Sequence, residues 1–67
     1  MRKTITDAVR AHAQGHIEKA KMNVEIYLKN PTGIGEHSDV LAAIQEQLDI
    51  ISTNHDRLEV LDIYFKD

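Results

Sequence analysis

Four histidines and a line of carboxylates are the residues of this chain whose types and spacing suggest chemistry. His12 and His16 are four residues apart, so on a helix they stand one above the other on one face. That spacing presents two imidazole nitrogens to a zinc-type ion, and a third imidazole or a carboxylate completes such a site. His55, with Asp56 beside it and Glu59 one helical turn further on, is placed to supply the third group. The metal reading therefore names His12, His16 and His55.

A commoner fate for such residues is to interrupt a helix interface, satisfied by one another, by Asn54 or by water. Polar groups in a helical seam set register and oligomeric state at some cost in stability. If the three imidazoles are packed in this way, protonation at mildly acidic pH sets like charges against each other and predicts weaker association.

Other chemistries have less to stand on. The chain has no cysteine, which excludes disulfides, thiolate metal sites and cysteine nucleophiles. No nucleophile has a recognisable positioned base, and two helices offer little concavity for a substrate. The expectation is a protein that is not an enzyme, with no cofactor other than that zinc-type ion. Glu46, Asp49, Glu59 and Asp62 read as a solvated acidic face.

The stretch "NPTGIGEHSD", residues 30–39, resembles a phosphate loop only superficially. Its glycines are two apart, no lysine follows, and Glu36 and Asp39 repel an anion. A turn explains it better. Pro31 ends a helix, Gly33 and Gly35 allow a tight reversal, Ile34 folds over the open end, and His37 is exposed.

Two helices must flank that turn. Thr4 and Asp7 form a capping-box pattern, and Ile5, Val9, Ala13, Ile17, Ala20, Val24, Tyr27 and Leu28 recur at helical spacing. Glu25 and Lys29 are spaced as an i,i+4 pair, and Gly15 interrupts the helix as if another backbone came close. Beyond the turn, Leu41, Ile44, Leu48, Ile51, His55, Leu58, Asp62 and Phe65 follow alternating steps of three and four. This is a heptad-like seam, with Ser38 as its N-cap. The reading is one all-α domain over residues 1–67, an antiparallel hairpin with helices at about 4–29 and 38–66 and a turn at 30–37. A turn centred between Gly33 and Ile34 sets residue i against 67−i and so His12 against His55.

The pattern "NPTGIGEHSD", followed by "LAAIQEQLDII" and "HDRLEVL", resembles a group of small uncharacterised proteins encoded by tailed phages, notably those of marine cyanobacteria. The resemblance covers residues 16–65 and implies a phage-encoded context, with the host cytoplasm or the virion as location. It implies no activity and no site residue.

Charge and apolar content point to association. The net charge of −3 divides unevenly, with six basic and three acidic side chains in residues 1–30 and two basic and eight acidic in residues 31–67. Complementary halves favour packing against each other or against copies of each other. Nucleic acid would need a basic face on the assembled domain and is not an expected partner. No run is apolar enough for a membrane span, and the start lacks the apolar segment of a signal peptide.

Met22, Ile26, Ile50, Val60, Ile63 and Tyr64 lie outside the two seams, more apolar surface than one hairpin covers. The expectation is a homodimeric four-helix bundle acting as a protein–protein interaction module, with Leu41, Ile44, Leu48, Ile50, Ile51, Leu58, Tyr64 and Phe65 at its interfaces. An inhibitor of a host protein is the remaining alternative, with a host or phage protein as partner.

Overall fold

In the computed structural model, which describes residues 1–29 and 39–66, two helices pack against each other: α1, Arg2–Lys29, and α2, Val40–Tyr64. The protein is an all-helical hairpin, a rod with extents of 48 × 16 × 16 Å. The roles expected for the turn lie outside the described residues, and the N-cap of α2 is Asp39 rather than the expected Ser38.

Helix α1 ends at Lys29, two residues before Pro31, as the steric bias against helix before proline requires. Its start differs from the capping-box expectation. The helix begins at Arg2, with Ile5 N–H donating to the Met1 carbonyl at 3.1 Å, so Thr4 already lies inside the first turn. Asp7 instead accepts from Lys3 Nζ at 2.7 Å. Glu25 and Lys29 do not form their i,i+4 pair; the ion pair further along α1 joins Lys21 to Glu18. Helix α2 is capped by Asp39, whose carboxylate accepts from the Ala42 N–H at 2.9 Å, satisfying one of the free first-turn donors.

The inner line of α1 is Thr6, Arg10, Ala13, Ile17, Ala20, Val24 and Tyr27, again at steps of four and three. Ala13 and Ala20, seven apart, are only 1% exposed, so a methyl group is all that stands between the helices at those levels. Ile5, Val9 and Leu28, expected on this line, are exposed. Arg10 replaces Val9 at the seam because its long aliphatic stem runs along the groove while its guanidinium reaches Asp62 Oδ1 at 2.7 Å.

On α2 the inner column is Val40, Gln47, Asn54 and Leu61, flanked by Ala43, Ile50 and Arg57 on one side and by Ile44, Ile51 and Leu58 on the other. Ile44, Ile51 and Leu58 belong to the expected seam. Its other column, Leu41, Leu48, His55 and Asp62, is exposed. Each buried position of that column is taken by the residue one earlier, so α2 is turned by less than one residue step of about 100°.

Polar groups fix the alignment. Asn23 Nδ2 donates to Gln47 Oε1 across the seam at 3.1 Å. Asn54, 5% exposed, donates to the Ile50 carbonyl at 2.8 Å and accepts from Arg57 Nη1 at 3.2 Å. The Asn54 bonds lie within α2; across the seam, Asn23 to Gln47 and Arg10 to Asp62 set partners about three to five residues further along α2 than pairing of i with 67−i, while Arg2 Nη2 reaches the Phe65 carbonyl at 3.4 Å at the far end. The helix ends account for part of the shift, since Lys29 and Val40 are symmetric about a later point than Gly33–Ile34.

Candidate functional site

Two long flanks run beside the seam, and helical periodicity assigns each residue to one of them. His16 shares a groove with Glu46, Asp49, Ile50, Thr53, Asn54 and Arg57, and His12 shares one with Ala8, Val9 and Arg57. This is the histidine flank. The Arg10–Asp62 pair and a groove lined by Lys3, Thr6, Asp7, Arg10, Phe65 and Lys66 lie on the opposite side. Asp62 is in the column of Leu41, Leu48 and His55, and Phe65 in that of Ile44, Ile51 and Leu58. Asp7 is in the column of Leu28. The second flank carries the exposed leucines, Leu28, Leu41 and Leu48, with Phe65, and is the apolar flank in that sense; the histidine flank also exposes Val9, Val60 and Tyr64.

The three candidate metal ligands are not brought together. His12 and His16 meet edge to face, with ring centroids 4.5 Å apart. His55 belongs to the apolar-flank column and is exposed on the other side of the hairpin. The turn of α2 and the shift in alignment together undo the His12–His55 apposition. Among the described residues no group of three or more histidine, aspartate and glutamate side chains is placed to hold a metal ion.

The candidate interface residues divide unequally. Leu41, Ile44, Leu48, Ile51, Leu58 and Phe65 all fall on the apolar flank. Ile44, Ile51 and Leu58 are half-buried against α1, whereas Leu41 is 71% and Leu48 47% exposed and Phe65 is exposed as well. Leu28 of α1 stands on the same flank at 61% exposed. Ile50 and Tyr64 fall on the histidine flank, Ile50 half-buried and Tyr64 exposed. Of the other residues expected outside the seams, Met22, Ile26, Val60 and Ile63 are exposed.

Periodicity alone puts Leu28 on the α1 core stripe; the neighbouring Tyr27 takes the inward position and leaves Leu28 at the surface. Gly15 was expected to admit another backbone, yet a Cβ there meets nothing within 4 Å.

Apolar side chains on a rigid pair of helices can bind another helical surface, and this is the chemistry the geometry offers. Among the described residues no helix is long and apolar enough to cross a membrane. No family model, curated protein or solved structure matches the chain, so the functional reading rests on its own geometry.

Proposed function

We propose that the protein is a non-enzymatic helical interaction module that associates with itself, two hairpins forming a four-helix bundle. One observation carries this reading. Among the described residues no large side chain is fully buried within the hairpin, while Leu28, Leu41, Leu48 and Phe65 stand exposed along one flank. Small hairpins of this kind gain stability by oligomerising, because a single seam buries too little apolar surface.

Sedimentation equilibrium and melting at several protein concentrations test the reading. A dimer whose Tm rises with concentration is expected. A monomer with a concentration-independent Tm overturns it.

The contact between His12 and His16 favours a second reading, a zinc-type site on the histidine flank. Two nitrogens fall short of the three protein ligands usual for such an ion, and among the described residues no third group is placed to join them, so on this reading a second copy supplies one. Thermal stabilisation by zinc, lost in His16→Ala, supports this reading; no shift with zinc removes it.

A further inference from the structure

Resting on the homodimer reading, we propose how the second copy sits: on the apolar flank, with both connections at the same end, so that α1 of each copy lies along α2 of the other. Two features of the hairpin select this arrangement over its alternative, in which the connections point to opposite ends.

The first is charge. Helix α1 carries six basic and three acidic side chains, and α2 one basic and five acidic. Flank-to-flank packing with connections at opposite ends sets α1 over α1 and α2 over α2, a juxtaposition of like potentials. With connections at the same end, the two-fold axis runs along the rod and every neighbouring pair joins a net positive helix to a net negative one, antiparallel.

The second is a gradient along the flank. Leu28, Leu41 and Leu48 crowd the end where α1 finishes and α2 begins, whereas the Arg10–Asp62 pair, with Phe65 beside it, occupies the other end. An opposite-end dimer lays the leucines of one copy over the ion pair of the other and strips solvent from those charges. The same-end dimer sets leucines on leucines. It also brings Arg10 of each copy toward Asp62 of the other, so that two internal pairs become one ring of alternating charge.

The full chain, labelled with a nitroxide at Thr4→Cys, tests the geometry by pulsed electron resonance. Same-end packing puts the two labels within about 30 Å, two widths of the 16 Å rod. Opposite-end packing separates them by about 40 Å, the length of the 28-residue α1 at about 1.5 Å per residue. In a second experiment, Arg10→Asp chains are mixed with Asp62→Arg chains. The same-end ring predicts that the heterodimer outweighs both homodimers, since only in the mixed pair do positions 10 and 62 meet opposite charges across the interface, whereas each homodimer gathers four like charges.

Leu41→Glu, with helicity checked by circular dichroism, is expected to weaken dimerisation about a hundredfold or more by burying an unpaired carboxylate, and Val60→Glu on the histidine flank to change it little. A dimer with the long distance, or with random mixing, overturns the same-end arrangement and leaves the homodimer reading intact. A dimer that survives Leu41→Glu but not Val60→Glu overturns the choice of flank. A monomer overturns both.

Discussion

The seam between the two helices and the apolar flank beside it differ in the opposite sense from what a folded domain ordinarily shows. The seam is built from alanine methyls, half-buried aliphatics, Leu61 and polar side chains that include Asn23, Gln47 and Asn54, with Thr6 and Arg10 at one end. The flank, in contact with solvent, carries Leu28, Leu41, Leu48 and Phe65. Small residues let the helices come close but remove little apolar surface from water, and the polar links fix alignment better than they stabilise it. In the homodimer proposed above, the larger hydrophobic contribution would come from covering the flank, so that specificity of the hairpin and stability of the assembly would reside in different places.

Substitutions can break or sharpen this contrast. The largest effect is expected at Leu61, the one large apolar side chain that the seam buries among the described residues. Leu61→Ala should cost about 2–5 kcal/mol, read as loss of cooperative thermal unfolding at every protein concentration. A loss that vanishes at high concentration would move the role of Leu61 from the seam to the assembly.

Next is Ala20→Leu, which forces a larger group between helices separated by a methyl and should cost about 1–3 kcal/mol in chemical denaturation. A neutral result would show that the seam is looser than two alanines at 1% exposure imply.

Gly15→Ala is expected to act in the other direction. The new methyl meets open space, so helix propensity alone should stabilise the hairpin by about 1 kcal/mol. Destabilisation instead would place another copy's backbone at Gly15, away from both flanks.

The smallest effect belongs to Asp62→Asn. This carboxylate pairs with Arg10 at 2.7 Å, but its side chain is 54% exposed. Solvent screening limits the loss in the isolated hairpin to about 0–1 kcal/mol, diminished further by salt. A clearly larger loss in the dimer than in a dissociated Leu41→Glu background would locate the pair inside the assembly.

The sequence by itself determined the elements. Periodicity and Pro31 define two helices, the end of α1 at Lys29 matches, and the spacing of His12 and His16 puts their rings in contact. Only the tertiary structure decided which face of each helix turns inward. On α2, apolar residues occupy adjacent columns: Ile44, Ile51 and Leu58 lie between the Leu41–Leu48 column and the Val40–Leu61 column. A hydrophobic stripe that wide leaves the helix free to rotate by nearly one residue step without losing its pattern. The docking partner removes that freedom: two alanines on α1, the reach of Arg10 to Asp62 and the Asn23–Gln47 bond select one rotation. That rotation carries His55 away from His12 and His16 and leaves Leu41 and Leu48 in water, and no count of residues along the chain contains it.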